Sequence, residues 1–236
     1  MQPSINSVST ATFIVKLASA PVQEVVNQKE VLQAFAETPT PEPVTIQITA
    51  NTGTSIADRL NSKKQGDLVI ISGSINLDDS GKNLIINPHV LCDAHPDQFL
   101  NEINIVGRLG GEPKQAEKSC RRSLAENRYG GKDPSTGKAK ENTDWWLIRG
   151  YKFNRTKLEK APKGSLVSVS GTVVTRKNKD NQPYIEVTMR KMTSHKRGKG
   201  GAAPDPAANT TAVGYDPSAF EGDSDDSVDD LPSNWN

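Results

Sequence analysis

Two stretches, KKQGDLVIISGSINL at Lys63–Leu77 and KAPKGSLVSVSGTVV at Lys160–Val174, decide the architecture because they share one pattern. Each begins with basic residues and a glycine and continues as an apolar run. Each carries a second glycine inside that run (Gly73, Gly171) and ends in more strand followed by a polar turn. A glycine inside a strand has no side chain to pack, so it marks a bulge or a sharp bend. Small closed barrels need such bends.

The same order of elements surrounds both stretches. In the first third, Ile5–Leu17 and Val44–Ala50 have the β-branched or alternating character of strands. Thr54–Lys63 has Ile56 and Leu60 at helical spacing behind a Thr54 or Ser55 cap. The strand Asp67–Leu77, the turn Asp78–Gly81 and the strand Asn83–Leu91 follow. The middle of the chain repeats this with strands at Glu102–Leu109 and Thr143–Phe153 and a short helix at Asn154–Lys160. A strand at Ser165–Arg176, the turn Asn178–Gln182 and a strand at Tyr184–Met192 complete the second set. The repeat predicts an all-β chain of two small tandem barrels with short helices, over residues 1–100 and 101–195. After His195 the composition shifts to Gly, Ala, Pro and Lys, which predicts a flexible linker over 196–217. Residues 218–236 are acidic and too poor in apolar groups to build a core, so a disordered tail is expected.

Charge separates the same segments. The chain carries a net +1, but residues 1–100 hold six Lys/Arg against ten Asp/Glu, residues 101–200 hold 23 against ten, and residues 201–236 hold none against eight. A middle segment of net +13 attracts polyanions, and a tail of net −8 suits a basic partner or masks the middle. The two cysteines, Cys92 and Cys120, have no motif spacing, so no disulfide framework is expected and a reducing, cytoplasmic location fits. The start MQPSINSVST lacks the pattern of a signal peptide, and no apolar run is long enough for a membrane span. His89, Cys92, Asp93 and His95 cluster in HVLCDAH, but three such ligands and a carboxylate without a second pair point to structure rather than zinc. No catalytic set stands out among three histidines. No metal, no cofactor and no enzyme activity are expected.

Binding of single strands without regard to sequence requires cations for the phosphates and flat faces for the bases. The middle module has both. Along Thr143–Phe153 the side chains alternate, which puts Trp145, Leu147, Arg149, Tyr151 and Phe153 on one face and Trp146 with Ile148 on the other. The second set suits a core; the first, with three aromatics and an arginine, suits a stacking platform. Arg121–Lys140, with glycines, a proline and many cations, predicts a projecting basic arm. Thr175–Lys179 predicts a hairpin tip bearing Arg176, Lys177 and Lys179. Residues 1–100 contain no Trp or Tyr, so a barrel there lacks this equipment and is expected to be structural, to mediate dimerisation or to hold a partner.

Four pieces, in order, resemble the bacterial-type single-stranded DNA-binding protein family: INIVGRLGGEPK at Ile103–Lys114, NTDWWLIRGYKF at Asn142–Phe153, KGSLVSVSGTVVTRKNKDNQPYIEV at Lys163–Val187, and the acidic ending DDLPSNWN. The resemblance is good over 102–193, partial at the tail and weak over 1–100. It implies OB-fold barrels, five-stranded Greek-key units that stack bases on aromatic rings, with four such units in a complex. A chain with two would reach four as a homodimer. The stacking residues it implies are Trp145, Tyr151 and Tyr129, and the alternation along the strand adds Phe153. The phosphate contacts expected are Arg108, Arg121, Arg122, Arg128 and Lys138, together with Lys140, Arg149, Arg176, Lys177 and Lys179. The family often has an aromatic where Asn178 stands, so one stacking site is weakened. The tail residues Asp225, Asp226, Asp229, Asp230, Leu231, Pro232 and Trp235 resemble the segment by which the family meets replication and repair proteins. Here Trp235 is penultimate, where the family ends in Pro and a terminal Phe. The implied function is sequence-independent binding and protection of single-stranded DNA in replication, recombination and repair. The alternative is an OB-fold protein-interaction, primosome or RNA-binding accessory.

Overall fold

The computed structural model describes residues 9–195, apart from 27, 79, 82, 133, 134 and 138. The N-terminal half contains β1 (Thr10–Leu17), β2 (Val22–Val26), β3 (Lys29–Glu37), β4 (Thr45–Asn51), α1 (Ser55–Asn61), β5 (Leu68–Leu77) and β6 (Leu84–Asp93). The C-terminal half contains β7 (Asn101–Leu109), β8 (Lys114–Gln115), β9 (Ser119–Lys132), β10 (Ala139–Tyr151), α2 (Lys152–Lys160), β11 (Leu166–Lys177) and β12 (Pro183–Ser194).

The two halves close by the same ladder. In the first, β1 pairs with β5, β5 with β6, β6 with β4 in parallel, β4 with β3, and β3 returns to β1 through Lys16 opposite Glu37. In the second, β7 pairs with β11, β11 with β12, β12 with β10 in parallel, and β10 with β9. The last returns to β7 through Arg108 opposite Ala125. Closure leaves one face of each strand inside. Phe13, Ile46, Ile48, Ile71 and Ile86 are among the side chains that fill the first barrel, and Ile103, Ile105, Leu124, Trp146 and Ile148 are among those that fill the second. Both barrels are OB-fold units.

The interior glycines do what the pattern predicts. The ladders β5–β6 and β11–β12 change register at Ser72/Gly73 and at Ser170/Gly171. A Cβ on Gly73 would lie 2.2 Å from the Asn87 carbonyl oxygen, and one on Gly171 would lie 2.2 Å from that of Thr188. The backbones at each bulge approach too closely for any side chain. Helix α1 is capped by Thr54, whose hydroxyl accepts the Ala57 amide at 3.2 Å, and it buries Ala57 and Leu60. Helix α2 buries Leu158 in the corresponding place.

Two expectations are corrected, and strands β2 and β3 carry no clear sequence signal: in β3 the core residues Leu32, Ala34 and Ala36 alternate, but apolar Val31 and Phe35 on the other face hide the period. The predicted basic arm Arg121–Lys140 is mostly strand. It forms the long β9–β10 hairpin, because Leu124 and Cys120 turn inward beside Trp146 and Gly150. The strand expected to reach Phe153 ends at Tyr151, where Lys152 takes φ 48° and turns the chain into α2.

The barrels are joined by more than their linker. β1 pairs antiparallel with β7, Thr10 opposite Asn104 and Phe13 opposite Asn101, which makes one continuous twelve-stranded sheet order. The Asn101 amide then clasps Val173 in both directions: its Nδ2 donates to the Val173 oxygen at 2.8 Å and its Oδ1 accepts the Val173 amide at 2.9 Å.

Candidate nucleic-acid interface

The outer face of the second barrel follows from registers. Trp145, Leu147, Arg149 and Tyr151 on β10 lie opposite Ala125, Ser123, Arg121 and Ser119 on β9. Across the parallel ladder Leu147 meets Glu186 on β12, and Glu186 meets Val174 on β11. Tyr184, opposite Arg176, shares this face. Arg108 stands beside Ala125, on the flank of Trp145.

Trp145 is half-buried, with one edge over the backbone of Gly110: a Cβ there would lie 2.9 Å from Trp145 Cζ3 and 2.3 Å from Ser123 Oγ. Gly110 therefore seats the ring, a role that its sequence context did not signal. Tyr129 lies on the same face and is 52% exposed. It stands four residues beyond Ala125, about 13 Å along the strand. Tyr151 lies six residues beyond Trp145, about 20 Å along β10. Its ring is half-buried, and burial raises its phenol pKa above the usual tyrosine value. Three of the four predicted aromatics thus share one strip. Phe153 does not. It sits in the first turn of α2, 72% exposed, with Lys157 Nζ 4.6 Å from its ring centre.

The predicted cations divide. Lys140, Lys177 and Lys179 are exposed, and Arg108 and Arg176 are partly so. Arg108 also donates to the Gly164 oxygen at 3.2 Å. Arg122 is corrected: it is 3% exposed and points to the inner side with Ile148. Its Nε donates to the Gly110 and Gly111 oxygens and its Nη1 to that of Leu158, so it locks the turn that follows β7 and the end of α2 rather than meeting a phosphate. Burial lowers its pKa. Arg149 is also corrected. It is 4% exposed and donates to Glu186 Oε1 at 2.8 Å. Burial opposes its charge, but the Glu186 carboxylate outweighs that and holds its pKa above the ordinary arginine value. Arg121 is buried on the face and donates to the Tyr184 hydroxyl at 3.2 Å. Arg128 pairs with Asp144 at 2.6 Å, on the side that meets the first barrel. Lys138 and the tail residues Asp225, Asp226, Asp229, Asp230, Leu231, Pro232 and Trp235 lie outside the described residues.

The matching face of the first barrel can be read off its own ladder. Gln47 lies opposite Ile85 in parallel, and Ile85 opposite Asn76, as Leu147, Glu186 and Val174 do in the second. The residues corresponding to Trp145, Leu147, Arg149 and Tyr151 are therefore Thr45, Gln47, Thr49 and Asn51. That row has no ring and no charge. Among the described residues no cluster of His, Cys, Asp and Glu is placed to hold a metal ion, and no helix is long and apolar enough to cross a membrane.

Residues 100–194 match the model of the single-strand binding protein family. The second barrel is a single-strand binding protein family domain. Among solved structures it is similar to the wild-type single-stranded DNA binding protein from Thermus aquaticus, with a TM-score of 0.58 at 13% identity over 84% of this chain and 98% of that one. That likeness concerns the fold and covers both barrels. It is also similar to the Plasmodium falciparum SSB in complex with ssDNA, 32% identical over 42% of this chain and 96% of that one, with a TM-score of 0.35. No curated protein matches the chain. The single-strand binding domain is thus the barrel that bears the aromatic strip, and the N-terminal barrel repeats its fold without that strip.

Proposed function

We propose that this chain binds and protects single-stranded DNA without regard to sequence, through the outer face of its second barrel, and serves replication, recombination and repair. One observation carries the reading. Tyr129, Trp145 and Tyr151 stand in a strip along the β9–β10 hairpin, with Arg108, Arg176, Lys177 and Lys179 on the elements beside it. Rings accept bases whatever their identity, and the cations follow the backbone. The N-terminal barrel is a scaffold in this reading. Its face, where the β4 row lacks rings and the neighbouring β3 row carries the acidic Glu37 opposite Thr45, takes no nucleic acid, and two chains assemble so that four barrels act together. The acidic tail meets basic sites on replication and repair proteins in the cytoplasm.

The test uses tryptophan emission in the Trp235→Phe chain, where Trp145 is the partly exposed indole and Trp146 is buried. Oligo-dT quenches it, and Trp145→Ala weakens binding by about 1–3 kcal/mol, the worth of one stacked base. Equal affinity for oligo-rU would shift the assignment from DNA coating to RNA. Absence of both quenching and binding would leave the protein-scaffold alternative.

A further inference from the structure

Glu186 is fully buried on the face that carries the aromatic strip. It shares one oxygen between two guanidinium groups: Arg149 Nε donates to Oε1 at 2.8 Å, and Arg176 Nε lies 3.7 Å from the same atom. Its other oxygen, Oε2, is buried without a hydrogen bond. The Tyr151 phenol lies within the field of all three groups. One carboxylate thus stands between two arginines beside an aromatic ring. Arg149 is sealed at 4% exposure, whereas the Arg176 side chain is 19% exposed.

We propose that Glu186 is a built-in counter-anion of the nucleic-acid face. It stands where a second phosphate would otherwise be drawn, keeps the charge of Arg149 from the ligand, and positions Arg176 beside Tyr151 to take a single backbone phosphate. The carboxylate thereby limits affinity and sets how many counterions are released on this part of the face. A groove of uncompensated arginines would hold a strand more tightly and release it more slowly. This inference rests on the single-strand binding reading and adds the residue that tunes it.

The experiment measures oligo-dT affinity of the full chain against salt. Each phosphate neutralised on a single strand contributes about −0.7 to the slope of log K against log salt. Glu186→Gln steepens the slope by about 0.7, roughly a further fivefold loss of affinity over a tenfold rise in salt, and it binds more tightly than wild type at low salt. Glu186→Asp keeps the charge and the wild-type slope, although both variants melt earlier. Arg176→Gln makes the slope shallower by about 0.7. A Glu186→Gln chain that folds and shows an unchanged slope overturns the proposal, as does an equal change in the Asp and Gln variants. If the Gln variant does not fold, an unchanged slope in Arg176→Gln overturns it. A wild-type chain that fails to bind oligo-dT overturns the function itself, whereas a Glu186→Gln slope equal to that of a wild type that binds removes only the role of Glu186.

Discussion

Asp144 and Glu126 lie directly opposite each other in the β9–β10 ladder, and each carboxylate accepts a backbone amide from the first barrel. Glu126 Oε1 takes the Ser9 amide at 3.1 Å and Asp144 Oδ2 takes the Leu77 amide at 3.1 Å. Glu126 Oε2 also accepts from Trp146 Nε1 at 2.9 Å, so the junction is tied to the core of the second barrel.

Removing Glu126 leaves two buried donors without a partner. Glu126→Ala should cost about 2–6 kcal/mol, since each orphaned donor costs about 1–3 kcal/mol. Urea denaturation followed by tryptophan emission measures this. A loss under 1 kcal/mol would mean that the junction does not depend on this carboxylate.

The same residue predicts a pH dependence. Burial raises the Glu126 pKa above the usual carboxylate value. Its contribution to stability is therefore fully present below the unfolded value of about 4.3 and is lost as pH rises through the folded one. Glu126→Gln cannot titrate. The melting temperature of the variant relative to wild type should rise as pH increases above the unfolded value of about 4.3. A difference that stays constant above that value would contradict the assignment.

Gly171→Ala should destabilise the chain by about 1–3 kcal/mol through overpacking at the β11–β12 bulge. Gly111→Ala serves as the control, because a Cβ at that position meets nothing within 4 Å. Thermal melts of the two variants should differ clearly. Equal melting temperatures would show that the bulge relaxes at little cost.

The arginines and lysines separate by measurement. Arg122→Met orphans the carbonyls of Gly110, Gly111 and Leu158 and should lower stability by about 3 kcal/mol while leaving the salt slope of oligo-dT binding unaltered. Lys177→Gln and Lys179→Gln should each make that slope shallower by about 0.7 with no loss of stability. The opposite pattern would mean that the buried and exposed cations have exchanged roles.

The barrels were legible where sequence pattern and local geometry coincide. Gly73 and Gly171 mark bulges because no Cβ fits there, and the Trp146/Ile148 face is core because alternation along β10 is strict. Legibility failed where a long-range partner decides the outcome. Arg149 has the spacing of a surface cation, and Glu186, 37 residues further along the chain, makes it a buried one. Arg122 is drawn inward by the carbonyls of Gly110, Gly111 and Leu158. Phe153 obeys the strand period, but the turn at Lys152 precedes it. Gly110 gives no local sign that it carries the ring of Trp145.

The pairing of β1 with β7 has a consequence for how such a surface can change. Two identical subunits joined edge to edge would share every substitution, so erasing the ring and cation row on one would erase it on both. Here the two edges belong to one polypeptide and are specified by separate codons. The row at Thr45, Gln47, Thr49 and Asn51 is therefore free to become neutral while Trp145 and Tyr151 are retained, and the fused sheet still holds both halves in a fixed relation.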